Sequence, residues 1–309
     1  MRAHRISGPF RAANANATWT TREALIVEFE RDGQIGRGEC APLPGYSSET
    51  LDECETAFHA LARGDAPSTL PPALAFALHA AELEAAANAC ATGPELHLAQ
   101  LVMNAEQLAP NAEPCGATRK IKVGRDLETE LALIDAAPGL VRVDANGSLG
   151  DRAAEVMPRL AERGVQFIEE PVPFGALAAI APSPLPIALD ESLQHPDGEE
   201  RLERALNEGW AHLAVLKPAA LGPRRTIRLA EIAIAHGVPI VVSHLFNGPL
   251  GYAAEAHWAL RFGSPQLAQG LGRHGALDAY AGWSTDLGSD GMLRPWKGNR
   301  WPVQTGARP

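Results

Sequence analysis

Hydrophobic and polar positions change rhythm near Gly93. Before it, a short β-prone run over residues 24–29 precedes Arg31-Asp32-Gly33, and a second run over 35–39 follows. Two such runs around a turn dipeptide predict an antiparallel hairpin, so the chain opens on a small sheet. Ser48-Glu49-Thr50 then opens a helix through residue 62. An Ala-rich helix follows Ser68-Thr69, with Pro71 and Pro72 in its first turn, where a missing N–H is harmless. Strands followed by segregated helices predict an α+β unit ending near Thr92.

After Gly93, short apolar runs alternate with amphipathic stretches, the form of repeated βα units. The runs are 98–103, 119–123, 140–143, 165–168, 187–189, 213–216, 239–242 and 267–271, eight strand candidates. Eight is the number that closes a parallel barrel. Helices are predicted over 127–136, 151–162, 198–207, 224–235 and 252–261 by apolar spacing. An open doubly wound sheet competes with the barrel, but no Gly-rich phosphate fingerprint follows any run.

Composition adds limits. A chain of 309 residues has room for two units, or for one barrel with an attachment. With 46% hydrophobic and 21% charged residues it is of ordinary globular type. A formal charge of −10 excludes a broad basic footprint for nucleic acid, so an anionic substrate must be met by local cations. Cys40, Cys54, Cys90 and Cys115 lack the paired spacing of zinc sites or redox dithiols and are expected to be reduced. Neither a signal-peptide core nor a membrane span of ~20 apolar residues is present, and a cytoplasmic protein with a small-molecule carboxylate substrate is expected. Oligomeric state is not legible.

Six polar residues end successive runs: Lys122, Asp144, Glu169, Asp190, Lys217 and Ser243, spaced 21 to 27 residues apart, one βα unit between neighbours. Strand C-terminal ends of a closed parallel barrel share one face, so the six converge on one cavity. Asp144, Glu169 and Asp190 offer hard oxygen ligands, which suit Mg²⁺, or Mn²⁺ in its place, better than zinc. Lys120 and Lys122 flank Ile121, and the two-residue period of a strand directs both ammonium groups into the barrel. Mutual repulsion, desolvation and a nearby metal are expected to depress their pKa values until one lysine serves as a base. Lys217, followed by Pro218, faces that base across the mouth. The set would remove a proton next to a carboxylate and stabilise the resulting enediolate.

With these residues placed, the sequence resembles the muconate-cycloisomerase-type branch of the enolase superfamily, whose known pairing of a Lys base with Mg²⁺ these positions match. The resemblance spans most of the chain. It rests on Gly38-Glu39-Cys40-Ala41-Pro42-Leu43-Pro44-Gly45-Tyr46-Ser47, Lys120-Ile121-Lys122-Val123-Gly124, Val143-Asp144-Ala145-Asn146, Ile168-Glu169-Glu170-Pro171, Leu189-Asp190-Glu191-Ser192 and Leu216-Lys217-Pro218. It implies an α/β fold: a TIM-type (β/α)7β barrel over 97–285, and an α+β N-terminal capping domain over 1–96 to which 286–309 return. It implies that Asp144, Glu169 and Asp190 bind Mg²⁺, that Lys122 is the base, and that Lys217 stabilises the enediolate or acts as a second acid/base. Asn146 and Glu191 would support these groups, and cap segments 11–21 and 43–47, with Gly45 and Tyr46, would touch substrate. Glu170 is a poorer ligand than Glu169, because adjacent strand residues point to opposite sides.

Within this branch the resemblance is to enzymes of menaquinone biosynthesis that remove water from 2-succinyl-6-hydroxy-2,4-cyclohexadiene-1-carboxylate. At Ser243-His244-Leu245-Phe246-Asn247-Gly248-Pro249-Leu250-Gly251, Asn247 stands where many relatives carry an acid. His244 reads either as a substrate ligand or as a packed strand-end histidine, and the N–H groups of 248–251 are expected to bind a succinyl carboxylate. Rivals are a dipeptide epimerase or N-acylamino acid racemase and a muconate-type cycloisomerase. An epimerase would show an acidic motif after the eighth strand, and Gly270-Leu271-Gly272-Arg273-His274 has none. A non-catalytic barrel is opposed by the presence of all five metal and lysine positions.

Overall fold

The computed structural model describes residues 1–13, 18–65, 67–108 and 118–305. Cys115 and residues 14–17 of the 11–21 segment lie outside the described residues. Strands β1 (Arg2–Ala13), β2 (Thr18–Arg31) and β3 (Gln34–Cys40) form an antiparallel sheet. At the predicted turn Asp32 and Gly33 both have positive φ, 51° and 76°, as a two-residue hairpin of matching twist requires. Strand β1 is absent from the sequence expectation, since its Arg- and Ala-rich sequence has no β-prone run; its register with β2 supplies the order instead.

Helix α1 (Leu51–Ala62) begins at a capping box, with Thr50 accepting from the Glu53 amide and Glu53 from the Thr50 amide. Helix α2 (Pro72–Ala85) lies almost against the sheet. A Cβ at Gly36 or Gly38 would sit 1.9 Å and 1.8 Å from the carbonyl oxygens of Ala81 and Ala77. Glycine in the strand and alanine in the helix are therefore one packing solution. Leu25, Val27, Cys54, Phe58 and Leu74 fill the space between them.

A two-residue strand, β4 (Leu96–His97), leads to a parallel sheet. In chain order come β5 (Ala99–Val102), β6 (Thr118–Lys122), α3 (Leu127–Ala136), β7 (Leu140–Asp144) and α4 (Ala153–Ala161). They are followed by β8 (Ile168–Glu169), β9 (Ile187–Leu189), α5 (Glu191–Gln194), α6 (Gly198–Asn207) and β10 (Leu213–Leu216). Helix α7 (Pro218–Ala235), β11 (Ile240–Val242) and α8 (Pro249–Phe262) complete the series. The strands stand side by side in sequence order from β5 to β11, as right-handed βα repetition produces. Lys122 pairs in register with Asp144, and Asp144 with Glu169, which sets three charged side chains at one level.

Residues 267–271, expected as an eighth strand, form no strand. Gln269 bridges Leu98 and Gly270 bridges Ser243, both parallel, and these two contacts join the ends of the curled sheet. The result is an α/β fold of TIM-barrel type. Helix α7 starts six residues before the predicted 224 and breaks at Gly222 (φ 72°, ψ 164°), just ahead of Pro223. Between β8 and β9 a 3-10 segment (Phe174–Ile180) takes the place of a full helix.

The chain then returns to its opening unit. Strand β12 (Trp283–Ser284) pairs with β14 (Gln304–Thr305), and β13 (Met292–Leu293) pairs with β4. Trp296 donates from Nε1 to the Ala89 carbonyl at 2.6 Å, and buried Trp301 donates to the Arg37 carbonyl at 3.2 Å.

Arg22 fastens the opening sheet to the loop after β11. Its buried guanidinium donates to the carbonyls of Ala41 and Pro42 on one side and of Leu245 and Phe246 on the other, and to Asn247 Oδ1 at 3.3 Å. Replacing it orphans several buried acceptors at once. Arg22→Met is expected to lower unfolding free energy by about 2–4 kcal/mol, summing one or two such losses; a urea midpoint within error of wild type would contradict this.

Candidate active site

The strand ends carry charge at buried positions. Asp144, Glu169 and Asp190 end β7, β8 and follow β9, each no more than 2% exposed. Cations lie among them. Lys120 Nζ sits 3.0 Å from Asp144 Oδ2 and donates to Glu169 Oε2, and Lys217, after β10, donates from Nζ to Asp190 Oδ2 at 2.5 Å. Burial opposes charge on Lys120, but Asp144 and Glu169 outweigh it and hold the ammonium above the usual lysine range. Lys217 is likewise raised: burial opposes, and Asp190 with its neighbours prevails. For Asp144 burial is outweighed by Lys120 and Lys122, and its carboxyl is held below the ordinary range.

The expected depression of the paired lysines is therefore corrected for Lys120. The Asp144 and Glu169 carboxylates in contact with it set the sign.

Lys122 Nζ donates to Asn146 Oδ1 at 2.6 Å and to Asp144 Oδ2 at 3.2 Å. The Asn146 amide is oriented in turn, its Nδ2 donating to Glu191 Oε1 at 3.0 Å. Tyr46 donates its hydroxyl to the same Glu191 oxygen at 3.2 Å and accepts from Lys217 and from Gln194 Nε2. A single network thus links both lysines through Tyr46, Glu191 and Asn146. Lys217 Nζ also stands 4.8 Å from the Tyr46 ring centroid, a cation–π contact.

Glu170 faces away from the carboxylate group. It accepts from the Asp190 and Ser192 amides, each at 2.8 Å, and from Ser192 Oγ. Burial and Glu191 push it up to about 7 against those bonds. Its φ of 40° is held by this tether.

Glu169 Oε1 and Asp190 Oδ1 are buried and, among the described residues, have no hydrogen-bond partner. Two orphaned carboxylate oxygens on neighbouring strands, beside the paired Asp144, are a donor set suited to a hard divalent cation. Among the described residues no three His, Cys, Asp or Glu side chains stand close enough together to form a finished cage. Lys120 and Lys217 lie between the carboxylates, and a divalent ion would take over part of their neutralising role.

Over these groups opens a cavity of about 250 Å³ lined by Lys120, Lys122, Asp144, Asn146, Glu191, Lys217 and Ser243. Phe10, Trp19, Leu43 and Tyr46 of the opening unit form one wall, and Leu101, Met103, Phe246, Arg273 and His274 form others. Gly45 lines a neighbouring hollow with Gln194 instead.

Residues 100–284 match the model of the enolase C-terminal domain-like family, and residues 14–85 match that of the MenC N-terminal domain. The o-succinylbenzoate synthase of Klebsiella pneumoniae (strain 342) is 30% identical over 92% of this chain and 89% of its own length. The chain belongs to the o-succinylbenzoate synthase family of the enolase superfamily. Among solved structures, an o-succinylbenzoate synthase from Thermosynechococcus elongatus BP-1, complexed with Mg in its active site, has 25% identity and a TM-score of 0.69, covering 87% of this chain and 91% of that one. The L-Ala-D/L-Glu epimerase of Bacillus subtilis overlays with a TM-score of 0.79 at 21% identity, covering 97% of each chain, and shares the fold alone.

Where this member of the family departs from expectation is the loop after β11. The N–H groups of 248–251 do not await a substrate carboxylate. Glu39 of β3 fills that position, accepting from Gly248 N at 2.6 Å and Gly251 N at 2.8 Å, at the N-terminus of α8. Asn247 is fully buried between Arg22 and Glu255 and does not line the cavity. The contacts of Glu39 and Arg22 with this loop join residues more than 200 positions apart, which periodicity does not report.

Sequence reasoning also misses Arg142. It lies two residues before Asp144 on the same strand face, donates to the Ala268 carbonyl at 2.7 Å, and has Nε 3.8 Å from Glu169 Oε1. The alternation that places Lys120 beside Lys122 is the signal that finds it.

His244 and His274 pack against each other as a tilted pair, ring centroids 4.2 Å apart and planes at 48°. Burial, then Lys120 and Lys217, hold His244 down to about 3, and burial, then His244, press His274 well below its usual value. Both are neutral in the folded state, whereas the unfolded chain takes up protons below about pH 6.5. Stability is therefore complete above that pH and declines as pH falls toward 3, by up to about 1.4 kcal/mol per pH unit for each histidine. A His274→Phe variant is expected to show a shallower decline between pH 6 and 4 by urea denaturation; an unchanged slope would contradict the assignment.

Proposed function

We propose that the chain is a Mg²⁺-dependent dehydratase, the o-succinylbenzoate synthase of a menaquinone pathway, converting 2-succinyl-6-hydroxy-2,4-cyclohexadiene-1-carboxylate to 2-succinylbenzoate and water. One observation carries the reading: Lys122 and Lys217 flank three buried carboxylates at the strand ends, in a chain 30% identical to such a synthase. In this reading residues 97–285 are the (β/α)7β barrel, and 1–96 with 286–309 are the capping domain. No helix among the described residues is long and apolar enough to cross a membrane.

Asp144, Glu169 and Asp190 would hold Mg²⁺. When bound, Mg²⁺ supplies the positive charge that acidifies the proton α to the substrate carboxylate. Lys122 Nζ takes that proton, breaking the C–H bond at the carboxylate-bearing ring carbon. The ring carbon–hydroxyl bond then breaks, the ring becomes aromatic, and the proton leaves Lys122 with the hydroxide as water. Elimination from one ring face allows a single base to take and return it. Asn146, fixed by Glu191, aims Lys122 through its Oδ1. Lys217 stays an ammonium beside Asp190 and lies over the ring face, where it stabilises the enediolate. Tyr46 and Trp19 of the cap close over the ring and exclude water. The epimerase reading needs an acid for a substrate ammonium group, and the corresponding segment presents Arg273 and His274 to the cavity.

Loss of the cyclohexadiene absorbance follows turnover directly. Wild type with Mg²⁺ is expected to turn over, EDTA to abolish it, and Lys122→Ala to lower kcat by about 10²–10⁴-fold, the usual worth of a general base. Folded wild type that ignores this substrate but epimerises dipeptides would replace the proposal.

A further inference from the structure

Strand order divides the mouth of the sheet into two arcs. The carboxylates follow β7, β8 and β9, with Lys122 on β6 and Lys217 after β10 at their flanks. On the opposite arc lie β11, residues 268–271 and β5, and from the first two of these come His244 and His274. In the dehydratase reading, a substrate held by one carboxylate among the lysines has this histidine pair on the opposite side of the same cavity.

His244 has a defined tautomer. The Phe246 amide donates to its Nδ1 at 3.3 Å, so Nδ1 is the unprotonated nitrogen and Nε2 carries the hydrogen. Among the described residues Nε2 has no protein partner, and the ring lines the cavity. His274 packs on one side at 4.2 Å and Phe246 at 4.8 Å, which fixes the ring plane. Arg273, whose Nη1 is engaged by the Thr285 carbonyl at 2.9 Å, adds a cation at this end.

Resting on the dehydratase reading, we propose that His244 determines specificity by donating its Nε2–H to the terminal carboxylate of the substrate's succinyl arm. A neutral donor of this kind accepts an anion and cannot accept from an ammonium group. Since burial and the two lysines keep the ring from protonating, the contact persists across the working pH range.

Product binding tests this apart from turnover. Affinities of wild type, His244→Phe and His244→Gln with Mg²⁺ are measured by calorimetry for 2-succinylbenzoate and for 2-butanoylbenzoate, which keeps the ketone and lacks the terminal carboxylate. His244→Phe is expected to bind 2-succinylbenzoate about 10- to 100-fold more weakly, the worth of a hydrogen bond to a charged group. His244→Gln, which retains a donor, should stay within about threefold of wild type, since only the loss of a donor incurs that cost. All three should bind 2-butanoylbenzoate alike. Substrate KM in His244→Phe should rise in proportion with kcat little changed, because the contact is remote from the bond-breaking carbon. Equal affinities of His244→Phe and wild type for 2-succinylbenzoate, or an equal loss with both ligands, would overturn the proposal. Wild type failing to bind 2-succinylbenzoate at all would instead overturn the dehydratase reading.

Discussion

Three carboxylates on successive strands are buried within reach of one another, and their charge has to be answered inside the protein. Isolated, each would neutralise by taking up a proton. Lys120 between Asp144 and Glu169, Lys217 against Asp190, and Arg142 beside Glu169 supply that answer. The curled parallel sheet follows from the same requirement, because only there do strand ends from six βα units reach a common centre. Among the described residues two carboxylate oxygens, Glu169 Oε1 and Asp190 Oδ1, remain without a hydrogen bond after the lysines are counted, which supports the proposal that a divalent cation binds there.

The opening unit serves this centre from above. Tyr46 reaches both Lys217 and Glu191, and through Asn146 its influence extends to Lys122. Arg22 and Glu39 hold that unit in place by binding the loop after β11 and the start of α8. A neutral amide at 247 suits this arrangement: Asn247 accepts from Arg22 and donates to Glu255, which a second carboxylate there would not do.

Much of the centre is legible in sequence. One charged residue per βα unit, placed at the end of each apolar run, is a pattern that only a parallel closed arrangement explains, and it yields Lys122, Asp144, Glu169, Asp190 and Lys217 together. Helices 127–136 and 198–207 agree residue for residue, because their apolar spacing is local. What sequence does not reveal is non-local. Glu39 and the amides of Gly248 and Gly251 meet across more than 200 residues, and the sign of the Lys120 shift depends on distances that spacing does not give. Residues 267–271 read as a strand by composition, yet only two bridges form there.

The proposed chemistry depends on Mg²⁺ binding at these carboxylates, and thermal unfolding with and without Mg²⁺ tests that binding without reference to turnover. A ligand that binds only the folded state raises its stability by mass action. Wild type should gain several degrees in Tm with millimolar Mg²⁺, and Glu169→Gln and Asp190→Asn should lose most of that gain. An equal gain in both variants, or none in wild type, would contradict the placement of the metal on these strand ends.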